Sequence, residues 1–137
     1  MELIRVLVVE DYPPFRQFFR AFLSVDPEIV LMGEAGSGPE ALLQAAETSP
    51  DVAVVDISLP GQGGLETARA LIRKWPQTKV LLLLEEESSE YRKACEESGA
   101  SAHLLKEEAH SRLLPLVKAL HREKSLEKGI GGQFLET

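Results

Sequence analysis

Five short apolar segments alternate with stretches that have amphipathic helical spacing, and this alternation constrains the fold more than any other feature of the sequence. Three of the segments, IRVLVV, VAVVDI and KVLLLL, are apolar nearly throughout, as in strands covered on both faces of a sheet. The stretches between them repeat apolar residues at i, i+3, i+4 and i+7, which predicts helices with one buried stripe. The predicted strands are residues 4–9, 29–34, 52–57, 79–84 and 102–105.

The fivefold alternation predicts an α/β fold: a doubly wound, five-stranded parallel sheet with five helices on its two faces. The common strand order for such a sheet is 2-1-3-4-5, the flavodoxin-like arrangement. In that order strands 1 and 3 are neighbours where the strand order reverses. Ligands of such sheets bind beyond the carboxyl ends of the strands at this point.

The C-terminal part of the chain sets the limits of the domain. Because a proline in a helix interior clashes with the carbonyl four residues earlier, we expect the last helix to begin near Ser111, with Pro115 in its first turn. The apolar pattern ends after Lys124. We therefore expect residues 1–124 to form one domain and residues 125–137 to be a flexible tail or the start of a linker.

Charge and composition exclude several classes of function. A net charge of −7 argues against direct contact with nucleic acid, which needs clustered Lys and Arg, and is compatible with binding a cation. The single cysteine, Cys95, excludes an internal disulfide and a multi-thiolate metal site. No apolar run approaches the length of a membrane span and no signal peptide is visible. We expect a cytoplasmic protein with no membrane contact.

Acidic residues stand at the predicted carboxyl ends of strands 1 and 3. Glu10 and Asp11 follow strand 1, Asp56 lies at the end of strand 3, and Lys106 follows strand 5. Like charges that meet at one sheet edge are costly unless a cation lies among them, and Mg²⁺ suits a site with few carboxylates. The alternative is that these acids only cap or turn into the next helix. Their joint placement favours the cation site.

A second motif competes with this interpretation. GSGPEA, residues 36–41, fits the G-x-G-x-x-G/A form of a dinucleotide-binding turn, with Asp56 one strand later. The motif follows the second strand rather than the first, and the chain leaves no room for a second nucleotide-binding half. We interpret the glycines as a turn before a helix whose first residue is Pro39.

Three segments together resemble the receiver domain of two-component response regulators, over roughly residues 3–122. RVLVVEDYPPFRQFFRAFL is similar to the opening strand, acidic pair and first helix of that family. PDVAVVDISLPGQGGLE is similar to its phosphorylation segment, and GASAHLLK to its fifth strand and closing lysine. The sequence from helix 3 to strand 5 looks most like that of receivers that precede a helix-turn-helix DNA-binding domain and regulate transcription.

The resemblance implies a role for each charged residue at the strand ends. Asp56 would accept a phosphoryl group, and Lys106 would pair with it once transferred. Mg²⁺ would be held by Glu10, Asp11 and Asp56 with the backbone carbonyl of Ser58. Phosphoryl transfer needs positioning and charge neutralisation more than covalent help from the protein, which agrees with these roles.

The resemblance also implies partners. The phosphoryl donor would be the phosphohistidine of a sensor histidine kinase or of a phosphotransfer protein, and the signal would leave through the face formed by helix 4, strand 5 and helix 5. A homodimer is compatible with such a module. The domain itself would be regulatory rather than an enzyme.

The chain departs from the family at the conformational switch. Leu84 stands where the family has a Thr or Ser whose hydroxyl bonds a phosphoryl oxygen, and His103 stands where it has an aromatic ring that turns inward. Glu85 replaces a small or apolar residue beside the switch position. It is either part of a solvated loop before helix 4 or a carboxylate at the rim of the phosphorylation pocket.

These features support two hypotheses. The first is a phospho-accepting receiver that signals by an altered route, favoured by the intact Glu10, Asp11, Asp56 and Lys106. The second is a pseudo-receiver, an interaction module regulated by partner binding without phosphorylation, favoured by Leu84, Glu85 and His103. We favour the first, because a domain that no longer accepted a phosphoryl group would have no evident reason to keep all four charged residues.

Overall fold

The molecule is built on a five-stranded parallel sheet. The structure is a computed structural model that describes residues 2–61 and 63–130, with only the backbone described from residue 124 onward. The strand order is β2-β1-β3-β4-β5, which confirms the predicted fold. The strands are β1 (Ile4–Val9), β2 (Ile29–Ala35), β3 (Val52–Asp56), β4 (Lys79–Leu84) and β5 (Ala102–Leu105). The helices are α1 (Pro13–Ser24), α2 (Gly38–Thr48), α3 (Gly64–Lys74), α4 (Ser89–Ser98) and α5 (Ala109–Ile130), with a 3₁₀ turn at Lys106–Glu108.

The helices cover both faces of the sheet, and alternate residues of each strand point to opposite faces. On one face, α1 and α5 bury Phe19, Leu113 and Val117 against Val8 and Leu83. On the other face, α2, α3 and α4 pack against the remaining strand residues, among them Leu82 and Leu84. This double coverage explains why β1, β3 and β4 are apolar at almost every position.

The parallel ladder brings the carboxyl ends of β1 and β3 side by side. Val9 pairs with Val55, so the residues that follow them, Glu10 and Asp56, lie at the same edge of the sheet. At that edge α3 starts very close to β3. A Cβ atom on Gly64 would lie 2.2 Å from the backbone oxygen of Asp56, so only glycine fits at the first position of this helix.

The start of α5 differs from the prediction. The helix begins at Ala109, directly after the 3₁₀ turn, so Pro115 lies inside it rather than in its first turn. The clash of the proline ring is a real cost, but packing of the helix on the sheet compensates for it. Leu113, Val117 and Leu120 are fully buried on the inner side of α5, whereas Pro115 is exposed.

The C-terminal boundary stays a prediction. Helix α5 continues to Ile130, so the backbone of residues 125–130 is helical. The rest of the predicted tail or linker, residues 131–137, lies outside the described residues. In the part of the chain that the structure describes, no helix has both the length and the apolar character needed to cross a membrane.

Candidate functional site

Three carboxylates meet at the edge of the sheet where β1 and β3 end. One oxygen atom from each of Glu10, Asp11 and Asp56 lies within 4.8 Å of the other two. Glu10 and Asp56 are buried because they leave strands covered on both faces, whereas Asp11 is exposed. The structure therefore brings together the three acids that the sequence placed at these strand ends.

Lys106 projects into the same place from the end of β5. Its Nζ atom lies 2.8 Å from Oε1 of Glu10 and 3.2 Å from Oδ2 of Asp56. The ammonium is buried and also lies 4.5 Å from the centroid of the Phe15 ring, within range of a cation–π contact. The ammonium is therefore held by carboxylates on one side and an aromatic ring on another.

A third carboxylate reaches Lys106 from the loop after β4. Oε1 of Glu85 accepts a hydrogen bond from Nζ at 3.0 Å. Burial alone would lower the pKa of this ammonium, but contacts with Glu10 and Glu85 and the nearby charge of Asp56 raise its pKa above the usual value. Lys106 is therefore protonated throughout the physiological range.

Glu10 experiences the opposite balance. Burial, followed by the hydrogen bond and charge of Asp56, raises the pKa of Glu10 from 4.5 to about 7, although Lys106 acts to lower it. Oε1 of Glu10 is fully buried and has no hydrogen-bond donor, because the Lys106 ammonium approaches it as an ion pair without hydrogen-bond geometry. A buried, underbonded carboxylate oxygen beside a second acid is a place where an added cation would be stabilised.

This donor set fits Mg²⁺. Magnesium takes one or two carboxylates and fills its other positions with water or phosphate oxygens. Oε1 of Glu10 supplies an orphaned oxygen, and the exposed Asp11 leaves the cluster open toward solvent. The chemistry of the three acids is therefore that of a hard-cation site with room for an anionic ligand.

The loop after Asp56 holds that carboxylate in place. The backbone N–H of Ser58 donates to Oδ1 of Asp56 at 3.0 Å, while Oδ2 faces Lys106. Gly61 and Gly63 have φ angles of +67° and +78°, a region that side chains other than glycine rarely adopt. The backbone N–H of Gly64 donates to the carbonyl of Ile57 at 3.2 Å, which holds the start of α3 against the end of β3.

The predicted switch positions lie beside this site. Leu84, the last residue of β4, is buried in the apolar cluster that also contains Cys95. His103 is half-buried on β5 and pairs with Leu82. Leu84, Cys95 and His103 line one groove between α4, β5 and α5, with a volume of about 520 Å³. The two altered positions therefore share a single surface groove.

The glycine-rich turn before α2 is occupied by its own helix. Oγ of Ser37 accepts from the backbone N–H of Glu40 at 3.3 Å, and the Glu40 carboxylate accepts from the N–H of Gly36 at 3.0 Å. This is a capping arrangement, in which side chains satisfy the N–H groups that a dinucleotide phosphate would need. The helix begins at Gly38, one residue before the predicted Pro39. The geometry favours the turn interpretation of GSGPEA.

The sequence did not predict two contacts at the site. The Glu85–Lys106 hydrogen bond was only one of two alternatives for Glu85, and the position of the Phe15 ring over Lys106 was missed. A signal for the first existed: Glu85 directly follows β4, which lies between the strands that present Asp56 and Lys106. The second depends on the rotamer of an aromatic side chain that the helical pattern assigns only to the core.

Comparisons with known proteins agree with the fold. The family profile described as "Response regulator receiver domain" matches residues 6–118. The chain belongs to the response regulator receiver family, which operates in two-component systems.

Individual relatives support this assignment. The chain is 31% identical over 134 residues to the transcriptional regulatory protein LiaR of Bacillus subtilis (strain 168), covering 97% of this chain and 64% of LiaR. Among solved structures, a LuxR-family two-component response regulator from Aurantimonas sp. SI85-9A1 superposes with a TM-score of 0.83 at 27% identity, covering 88% of this chain and 86% of that one. The receiver domain of the putative response regulator NarL from Mycobacterium tuberculosis gives a TM-score of 0.75 at 32% identity, covering 86% and 98%.

The curated relatives are longer than this chain. The chain spans 56% of one Bacillus subtilis transcriptional regulatory protein, 64% of LiaR and 50% of the Brevibacillus brevis regulator DegU. The similarity therefore covers a receiver domain and does not extend over the whole length of those regulators.

Proposed function

We propose that this chain is a phospho-accepting receiver that takes a phosphoryl group on Asp56 from the phosphohistidine of a sensor histidine kinase or phosphotransfer protein. The observation that carries the proposal is the buried Lys106 ammonium between Glu10 and Asp56, next to a carboxylate oxygen with no donor of its own. A purely structural role would not require an underbonded acid beside a second acid at the open edge of a sheet.

The proposed transfer follows from the positions of these groups. A carboxylate oxygen of Asp56 attacks phosphorus while the phosphorus–nitrogen bond of the donor imidazole breaks, and the nitrogen keeps the electron pair and takes up a proton. Lys106 neutralises negative charge on the phosphoryl oxygens, and the N–H of Ser58 holds Asp56 in position.

The metal-binding residues are part of the proposal. Glu10, Asp11 and Asp56, with the backbone carbonyl of Ser58, would hold Mg²⁺, which when bound offsets the charge that accumulates on the phosphoryl oxygens. The pKa of Glu10, raised to about 7 by burial and by Asp56, indicates that a bound cation would favour its ionised form. The chain's own contribution is to hold two buried carboxylates at one edge and to leave the third open to solvent.

The output is proposed to run through the face of α4, β5 and α5. Leu84 and His103 line the groove on this face and lack the hydroxyl and the aromatic ring of a typical switch. The signal must therefore take a different route from the site. Because its relatives are described as transcriptional regulatory proteins, we further propose that this receiver serves a cytoplasmic transcription regulator.

One observation favours the second candidate, a pseudo-receiver regulated by partner binding alone. Glu85 already supplies an anion to Lys106, so the lysine is satisfied without phosphorylation. The two candidates differ in a simple measurement, the covalent modification of Asp56.

The test is incubation of the protein with acetyl phosphate and Mg²⁺, followed by intact mass measurement and gel retardation. Asp56→Asn should abolish the modification. Asp51→Asn is the matched control, because Asp51 is a buried aspartate at the other end of β3 and should leave the modification intact. Omission of Mg²⁺ should also prevent it. A folded wild-type protein that takes up no phosphoryl group and shows no amide shift at Asp56 with beryllofluoride would refute the proposal.

A further inference from the structure

Glu85 hydrogen-bonds to Lys106 although its side chain is largely exposed to solvent. The residue follows Leu84 at the end of β4, and its side chain is 60% exposed. Its carboxylate nevertheless turns back over the sheet edge and accepts a hydrogen bond from Lys106 at 3.0 Å. The adjacent Glu86 and Glu87 are also exposed and do not share this contact with Lys106 among the described ion pairs.

The contact surrounds the lysine with carboxylates. An ammonium group has three N–H donors and no acceptor. Nζ of Lys106 lies 2.8 Å from Glu10, 3.2 Å from Asp56 and 3.0 Å from Glu85. Two of the three N–H groups are hydrogen-bonded, to Asp56 and Glu85, and the ammonium faces Glu10 as an ion pair, so a phosphoryl oxygen arriving on Asp56 must displace one of these carboxylates.

The three carboxylates are not equally able to leave. Glu10 and Asp56 are 0% and 2% exposed and are fixed at the ends of paired strands. Glu85 stands on the loop between β4 and α4 and can rotate into solvent without moving the sheet. Of these three carboxylates, it is the one that can be displaced at low cost.

We propose that Glu85 is an internal competitor for Lys106: its carboxylate holds the N–H that a phosphoryl oxygen on Asp56 needs, and phosphoryl uptake displaces it. This inference rests on the proposed function and concerns the regulation of the same site. Glu85 acts through Lys106, so it is a positioning residue and not a catalytic one.

Two consequences follow from the charge and location of Glu85. A dianionic phosphodonor meets an additional negative charge at the rim of the pocket, so uptake is slowed. The effect is modest, because exposed ion pairs are weak and screened by salt. Glu85 is also the first residue of the loop to α4, so release of its carboxylate changes the position of that loop. This route does not require a hydroxyl at residue 84.

The experiment compares Glu85→Gln, Glu85→Ala and Glu85→Asp with Glu86→Gln, which removes the same charge from the next exposed residue. Initial rates of phosphoryl uptake from acetyl phosphate and beryllofluoride affinity are measured in Mg²⁺ at low and high salt. We expect Glu85→Gln and Glu85→Ala to raise both by about two- to fivefold, with a smaller gain at high salt. Glu85→Asp keeps the charge, so its uptake rate and beryllofluoride affinity should stay nearer those of the wild type. Glu86→Gln should match the wild type in both measurements.

A measurement on the metal-free protein tests the contact without any phosphoryl chemistry. The Lys106 side-chain resonances, Nζ and Cε, should shift in Glu85→Gln and not in Glu86→Gln. In the wild type, beryllofluoride with Mg²⁺ should shift the amides of the loop from Glu85 to Ser89 as the carboxylate is displaced.

The outcomes separate the two proposals. Uptake by the wild type with equal rates in Glu85→Gln, Glu85→Ala and Glu86→Gln would leave the phospho-accepting function standing and overturn the competitor role. Absence of uptake and of beryllofluoride binding in every folded variant would overturn the proposed function, and the competitor role with it.

Discussion

Leu84 of β4 and Leu105 of β5 are direct partners in the parallel ladder, at the last position where the two strands pair. Leu84 is 1% exposed and belongs to the apolar cluster under α4, and Leu105 packs against the same cluster. The carboxyl end of β4 is therefore closed by hydrocarbon beside a site otherwise built of charged groups. Two segments connect the charged site to the α4–β5–α5 face: the loop that carries Glu85, and Lys106 at the end of β5.

Replacing Leu84 with threonine should have two measurable effects. The free energy of unfolding should fall by about 2–4 kcal/mol, because buried methyl contacts are lost and a hydroxyl is buried. Beryllofluoride should also produce amide shifts that extend from Asp56 to His103 and α4, since the new hydroxyl can donate to a phosphoryl oxygen. A hydrogen bond to a charged group contributes about 1.5–3 kcal/mol, enough to change a two-state equilibrium by about 10- to 150-fold.

Leu82→Thr is the matched control for this change. Leu82 is also fully buried, lies on the same strand and faces the same apolar cluster, but it is two residues from the sheet edge. It should lose comparable stability without extending the amide shifts. Equal propagation in both variants would show that loosening of β4, rather than the hydroxyl, carries the signal.

Much of this molecule could be predicted from sequence because its fold depends on burial. Strands covered on both faces must be apolar throughout, so β1, β3 and β4 were recognisable, and strand order then placed Glu10 beside Asp56. The features that could not be predicted are those that burial does not determine. The Glu85 side chain can point to solvent or to Lys106, and only the charge of the assembled site selects the second. The start of α5 likewise depends on whether packing outweighs the cost of Pro115.

The pKa of Glu10 predicts a pH dependence of the metal-free protein. A carboxyl whose pKa is raised from 4.5 to about 7 on folding contributes stability that is fully present below pH 4.5 and is lost as the pH rises through about 7. The difference corresponds to about 3 kcal/mol. Urea unfolding in EDTA should therefore show stability falling between pH 5 and about pH 7.5.

Glu10→Gln is the control, because the amide has nearly the same shape and does not titrate. The difference in stability between the two proteins should change across this interval, and saturating Mg²⁺ should flatten the wild-type curve by favouring the ionised carboxylate. Parallel curves for Glu10→Gln and the wild type would mean that Glu10 is not the titrating group.

The start of α4 offers a test of local structure next to Glu85. Ser88 is the N-cap, and its Oγ accepts from the backbone N–H of Tyr91 at 3.0 Å, whereas Ser89 is the first helical residue and is exposed. Ser88→Ala should lower the free energy of unfolding by about 1 kcal/mol and speed hydrogen exchange at the Tyr91 amide. Ser89→Ala should change stability by less than about 0.5 kcal/mol. The reverse ranking would place the cap at Ser89.

Pro115 leads to the opposite expectation, a gain in stability. It lies inside α5, exposed, where it offers no N–H to the carbonyl of Ser111 and its ring crowds that carbonyl. Pro115→Ala should restore the hydrogen bond and relieve the clash. The gain is offset in part by the greater freedom of alanine in the unfolded chain, so we expect the free energy of unfolding in urea to rise by about 1–3 kcal/mol.

Arg122→Ala is the control, because Arg122 is another exposed residue of the same helix, and its free energy of unfolding should stay within about 0.5 kcal/mol of the wild type. Because Leu113 and Val117 lie on the buried side next to Pro115, a loss of stability in Pro115→Ala would mean that the proline helps to position α5 on the sheet.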